Sequence, residues 1–159
     1  MKKLILLFAL LFATGSLFAQ QTLYRYYNEQ THKHYFTIDF NEYGNGRDGW
    51  FLDGPACVVF DHEDRDRGVV PLFQYFNPKI GDHYYTTHFQ ELGRADKGYY
   101  FEKPACYISR FKRFRTVPLF SYFNPSTGDH FYTIDQSEIG PGFAGYQFIG
   151  VTGFVFPAR

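Results

Sequence analysis

One turn is spelled three times in this chain. YFNPSTGDHFYT (residues 122–133) repeats YFNPKIGDHYYT (75–86), and a drifted version, YYNEQTHKHYFT (26–37), precedes both. Self-similarity at a fixed period constrains a fold more than composition does, because each copy must then be one supersecondary unit packed on its neighbours. The register runs well past the turn. Leu23, Leu72 and Leu119, Asn28, Asn77 and Asn124, His34, His83 and His130, Thr37, Thr86 and Thr133, Glu42, Glu91 and Glu138, and Gly49, Gly98 and Gly145 all fall at spacings of 49 and then 47 residues. The unit ends match too: GWFLDGPACVVF (49–60), GYYFEKPACYIS (98–109) and GYQFIGVTGFVF (145–156). The repeats are bounded as 22–68, 69–116 and 117–159, and residues 20–159 read as a single domain.

Upstream, Lys2 and Lys3 precede an apolar run over residues 4–13 and then TGSLFAQ. That run is too short for a bilayer, which takes about 20 residues, and its charged, apolar, small-residue order is that of a secretory signal. Residues 1–19 are therefore expected to be cleaved after Ala19, giving a secreted or periplasmic chain with no membrane contact. Sixteen Lys and Arg balance 16 Asp and Glu, so the mature chain has a slight acidic excess, which argues against a nucleic-acid partner. The basic run RFKRFR (110–115) and the mixed run DHEDRDR (61–67) occupy equivalent junctions between copies and read as solvated connectors.

The second copy shows the coarse structure best. VVPLFQYFN (69–77) is rich in β-branched and aromatic residues and is predicted to be a strand with its proline at the entrance. NPKIGD follows as a hairpin loop, in which Pro78 presets φ and Gly81 permits positive φ, and HYYTT (83–87) returns. HFQELGRADK is too polar for a strand and reads as a helical turn, for which 39–42 and 135–138 suggest a capping box. GYYFE and ACYIS complete four strands per unit, twelve in all. A propeller shares four strands per unit but closes with four or more blades. Three units instead predict an all-β chain folded as a β-trefoil.

Units of this form resemble a family of exported bacterial and fungal proteins of unknown function, whose repeats read approximately PLYRYYNPxTGDHFYTT…E…GYxxEG. The likeness covers residues 22–156 and is most specific over NPSTGDHFYT (124–133). Departures are His32 and Lys33 in place of Gly and Asp in the first copy, and Ile149 in place of the acid in the third. The resemblance implies an accessory-module type of repeat, lectin-like rather than catalytic.

No Gly-x-Ser-x-Gly elbow, zinc-binding His-Glu-x-x-His or phosphate-cradling loop occurs, so the chain reads as a non-enzymatic module with no cofactor or metal. Its expected ligand is carbohydrate or a cell-surface glycan, with Asn77, Asp82, Asn124 and Asp129 of the turns as hydroxyl-bonding groups and Trp50, Tyr99 and Tyr146 as stacking platforms. The alternatives are a protein-binding or inhibitor trefoil, which would use one idiosyncratic loop, and a glycoside hydrolase. His34, His83 and His130 with Thr37, Thr86 and Thr133 are expected to be structural, and Glu42, Glu91 and Glu138 to cap the helical turns. Cys57 and Cys106 stand at equivalent positions where the third copy has Gly153, and read as two buried free thiols.

Overall fold

The computed structural model describes residues 19–139 and 143–158. The expected leader therefore lies outside the described residues apart from Ala19, and among those described no helix is long and apolar enough to cross a membrane. The first unit contributes β1 (Gln20–Asn28), β2 (Lys33–Thr37), β3 (Gly46–Arg47) and β4 (Trp50–Phe60), and the second β5 (Val69–Asn77), β6 (Asp82–Thr86), β7 (Ala95–Asp96) and β8 (Tyr99–Ser109). The third contributes β9 (Val117–Asn124), β10 (Asp129–Thr133), the one-turn helix α1 (Gln136–Ile139) and β11 (Gln147–Val155). The hairpin turns fall at 29–32, 78–81 and 125–128, the last two punctuated by Asn-Pro and Gly-Asp. Eleven strands are described; in the third unit the position equivalent to the two-residue β3 and β7 falls at 142–143, partly outside the described residues.

The chain is all-β, but the trefoil expectation is corrected. A trefoil closes its first and fourth strands into a six-stranded barrel and leaves the second and third as a cap. Here both edges of each long first strand are occupied inside its own unit: β1 pairs β2 and β4, β5 pairs β6 and β8, and β9 pairs β10 and β11, all antiparallel. Each copy thus keeps its strands together as one small sheet, and the sheets join into an open antiparallel path, β10-β9-β11-β8-β4-β1-β2, with β5 and β6 branching from β8. Strand pairing between units shrinks to single bridges near the ends of the last strands: Phe60 with Tyr107, Ser109 with Phe154, and Val58 with Phe156.

What the backbone does not join, side chains do. The core is built in triplets from equivalent positions: Leu23, Leu72 and Leu119; Val59, Ile108 and Val155; and Phe36, Tyr85 and Tyr132. The last three rings meet edge to face, with centroids 5.4–5.6 Å apart, a geometry that adds to simple burial. The Tyr85 hydroxyl donates to the carbonyl of Phe36 at 3.1 Å and accepts its N–H at 2.9 Å. The Tyr132 hydroxyl repeats this on Tyr85 at 2.8 and 2.9 Å. Phe36 lacks the oxygen that would complete the circle. Cys57 and Cys106 are buried free thiols, and burial pushes Cys57 up to about 12. A Cβ at Gly153 would stand 2.6 Å from Ile108 Cδ1 and 2.9 Å from the Ser109 carbonyl, so the third copy has no room for a cysteine.

Tyr132→Phe is expected to lower stability by about 1–3 kcal/mol, because it orphans a buried backbone N–H of the neighbouring unit. Phe36→Tyr, which supplies the missing hydroxyl, should raise the denaturation midpoint. Urea unfolding followed by intrinsic fluorescence measures both, and equal stability of parent and Tyr132→Phe would refute the role given to this ring.

Candidate functional site

The turn asparagines face inward. Asn28 Oδ1 accepts N–H from Gln30 and Thr31 at 3.0 and 3.1 Å, Asn77 from Lys79 at 3.1 Å, and Asn124 from Ser126 at 2.9 Å. Each also packs against the glycine that opens the last strand. Gly49, Gly98 and Gly145 share φ of +84°, and a Cβ there would approach the amide nitrogen to 3.0, 3.0 and 3.4 Å. The Asn and Gly recur together because they are in contact.

The aspartates are staples between units. Asp129 takes the His34 backbone N–H on Oδ1 at 2.8 Å, while its Oδ2 lies 2.7 Å from His34 Nδ1 and accepts the Tyr146 hydroxyl at 2.5 Å. Asp82 does the same for the third unit, with His130 N–H at 2.9 Å, His130 Nδ1 at 2.6 Å and the Tyr99 hydroxyl at 2.6 Å. Both aspartates are 0 % exposed. Burial and the adjoining carboxylate push the Tyr99 and Tyr146 hydroxyls well above the usual range, keeping them donors. His34 and His130 therefore find partners in another unit's aspartate, and Asp82 and Asp129, expected to bond ligand hydroxyls, are buried between units instead.

At the junction of units one and two the staple is missing. Lys33, only 3 % exposed, occupies the aspartate position and donates instead to the carbonyls of Thr127 and Gly128 at 2.6 and 2.8 Å. His83 Nδ1 is buried without a hydrogen-bond partner among the described residues, and Nε2 lies 3.8 Å from Glu102. Burial pulls His83 below its ordinary 6.5, an effect Glu102 only partly offsets. Trp50, the counterpart of Tyr99, packs against Tyr35 and Tyr43 with centroids 5.7 Å apart in each pair.

The glutamates do not close capping boxes. Asp39 and Asp135 cap their turns by accepting N–H from Asn41 and Ser137, both at 2.9 Å, and Thr37, Thr86 and Thr133 accept the N–H two residues on at 3.0–3.1 Å. Glu42 instead accepts the Tyr35 hydroxyl at 2.8 Å, and Glu91 accepts the hydroxyls of Tyr84 at 2.9 Å and Thr86 at 3.1 Å. In the third unit Phe131 replaces this tyrosine, and Glu138 takes Thr133 at 2.7 Å.

Above these repeated contacts the three junctions diverge. Between units three and one, Arg25 donates to Glu138 at 2.7 and 3.2 Å and to Asp53 at 2.5 Å, with its guanidinium carbon 4.9 Å from the centroid of Phe131. Between one and two, the counterparts Gln74 and Glu102 bond each other at 2.7 Å. Between two and three they are Ser121, whose hydroxyl turns to the Gly150 carbonyl at 3.1 Å, and Ile149, which is 52 % exposed. A cleft of about 220 Å³ opens there, lined by Tyr84, Glu91, Leu92, Lys97, Tyr99, His130 and Ile149. A second of about 210 Å³, bordered by Ser121, shares Tyr84, Glu91 and Ile149 with it. Larger grooves of about 570 and 430 Å³ lie along the connector containing Arg110 and Phe111 and beside Pro157 and Ala158, away from the staples.

Of the residues expected to bind a ligand, only Tyr99 lines this cleft. Asn77, Asp82, Asn124, Asp129 and Tyr146 are buried. Tyr84, Lys97 and Ser121 were not anticipated, and Glu91 and His130 were expected to be only structural. The signal that points to the cleft is the departure at Ile149, not the repeats.

An all-β module of three small sheets, held together by buried side chains and open at one junction, is the class these observations define. The chain belongs to the family described as a domain of unknown function, DUF5648, whose model matches residues 22–156. Comparison with curated proteins and with solved structures gives no match.

Asp82→Ala should cost about 3–5 kcal/mol, since it strands a buried imidazole, a backbone N–H and a tyrosine hydroxyl. Denaturation monitored by circular dichroism would show it, and a loss under 1 kcal/mol would remove the staple from the account. His83 provides a second test. Its folded-state proton affinity is lowered, so the unfolded chain binds more protons as pH falls through about 6.5, and stability must drop with acidification. His83→Gln should therefore lose less stability than the parent between about pH 7 and about pH 5.

Proposed function

We propose that this protein is a non-enzymatic, exported binding module that takes carbohydrate in the cleft between its second and third units. The observation that carries this reading is the break in symmetry. Two junctions are sealed by paired polar side chains, and the third has Ser121 and Ile149 at those positions, beside aromatic walls and the side chains of Glu91 and Lys97. Tyr84 and Tyr99 lie 5.8 Å apart at 57°, so their faces offer the C–H surface of a sugar ring two planes to pack on. Glu91 and Lys97 supply an acceptor and a donor for hydroxyls. This reading gives one site per chain, at the junction of the second and third units.

The hydrolase alternative finds less support, since the reaction takes two carboxylates flanking the bond and the cleft is lined by Glu91 alone. The protein-binding alternative draws on one feature, the connector in which Phe111 and Phe114 are 65 and 89 % exposed among Arg110, Lys112 and Arg115.

The mature protein is expected to be retained on one or more polysaccharides in affinity electrophoresis and on a glycan array. Ser121→Gln with Ile149→Glu, which copies the Gln74–Glu102 seal, should abolish retention while leaving the melting temperature near that of the parent. Phe114→Ser should change neither. Retention that survives the seal, or is lost in Phe114→Ser, would move the site away from the cleft.

A further inference from the structure

One junction of this molecule holds a cation of its own. At the junction of units three and one, a guanidinium sits over the ring of Phe131, is held by both oxygens of Glu138, and is closed in by Asp53. The repeat places Tyr84 where Phe131 stands and Glu91 where Glu138 stands, at the junction of units two and three. Ser121 stands in the place of Arg25, so the cation that would occupy this cradle is not part of the chain. Glu91 makes no ion pair among the described residues; its oxygens accept only the hydroxyls of Tyr84 and Thr86. At this second junction the carboxylate is joined by the Tyr84 hydroxyl and faces Ile149 where Asp53 stands, and attraction to the ring and the charge-assisted hydrogen bond act on any ammonium or guanidinium that enters.

We infer that the carbohydrate taken here carries a free amino group: an amino sugar whose ammonium is bound by Glu91 over the Tyr84 ring. This rests on the carbohydrate reading and sharpens it. A guanidinium alone would fill only the space Arg25 takes. The adjoining clefts of about 220 and 210 Å³ extend past Tyr99 and Ile149 and accommodate a ring. Lys97 lines the cleft, exposed beside the turn that joins β7 to β8. Its ammonium disfavours a second ligand cation and serves hydroxyl oxygens instead, so one amino group per bound residue is the chemistry that fits. An N-acetylated sugar has lost that charge and should bind less well.

Retention of the mature protein is measured on three soluble oligosaccharide series: glucosamine, N-acetylglucosamine and glucose. Glucosamine oligomers are expected to bind at least about tenfold more tightly than the other two, the equivalent of about 1.4 kcal/mol, with affinity falling as salt rises. Glu91→Gln should remove that preference while keeping the weaker binding common to all three. Ser121→Arg with Ile149→Asp, which rebuilds the Arg25 arrangement, should block glucosamine and hold the melting temperature at or above the parent's. Equal binding of the three series overturns the ammonium assignment and leaves a carbohydrate module. Binding of none of them, or capture of an arginine-containing peptide in their place, overturns both.

Discussion

The fold depends on two buried carboxylates that reach across from one unit to the next. Backbone pairing between units amounts to single bridges, too little to fix how three small sheets sit against one another. Asp82 and Asp129 supply the missing specification, because each satisfies a backbone N–H, an imidazole and a tyrosine hydroxyl from two different units. Buried polar groups of this kind admit one arrangement. A shift of one sheet against another would strand several donors at once, at about 1–3 kcal/mol each, whereas the apolar triplets of the core would tolerate sliding far better. The Tyr85 and Tyr132 hydroxyls work the same way at the centre, borrowing backbone groups of the neighbouring unit.

Much of this was legible in the sequence as pattern and little of it as partnership. The repeat, the β class and the turn positions follow from register and residue type alone. Pairing order did not, since a strand that is apolar on one face looks the same whether its second edge meets its own unit's fourth strand or another unit's. GDH was misread for a related reason. Asp beside Gly after Asn-Pro is the composition of an exposed turn, and the neighbour that buries Asp82 is 48 residues away. The histidine beside each aspartate is not its partner: Asp82 takes His130 and Asp129 takes His34 from the following unit, and the copy that carries Lys33 in place of the aspartate leaves His83 Nδ1 unsatisfied among the described residues.

The glutamates show how spacing misleads. Three residues from Asp39 to Glu42 and from Asp135 to Glu138 satisfies the capping pattern, yet a turn this short gives the glutamate no reason to fold back when a tyrosine hydroxyl seven residues upstream is within reach, as for Tyr35 and Tyr84. Glu91 is thereby placed at the edge of a cleft, where its oxygens accept the hydroxyls of Tyr84 and Thr86. The equivalence of Phe131 to these tyrosines is equally informative. Where the ring has no hydroxyl to give, Arg25 approaches its face and engages the glutamate.

Opening one junction costs the fold little, and the magnitudes say why. The Arg25 network is partly solvated, its acids being 35 and 41 % exposed, and ion pairs in that setting contribute about 0–1 kcal/mol. The aspartate staple beneath it is fully buried and contributes several times more through the donors it satisfies. Replacing the upper pair by Ser121 and Ile149 therefore removes a minor term while Asp82, His130 and Tyr99 hold the two units in place below. Function can enter a repeat protein of this design wherever the rim positions vary over an unchanged base. Of the three junctions only this one combines an intact staple with a missing seal: the first lacks the aspartate and the last is closed by arginine.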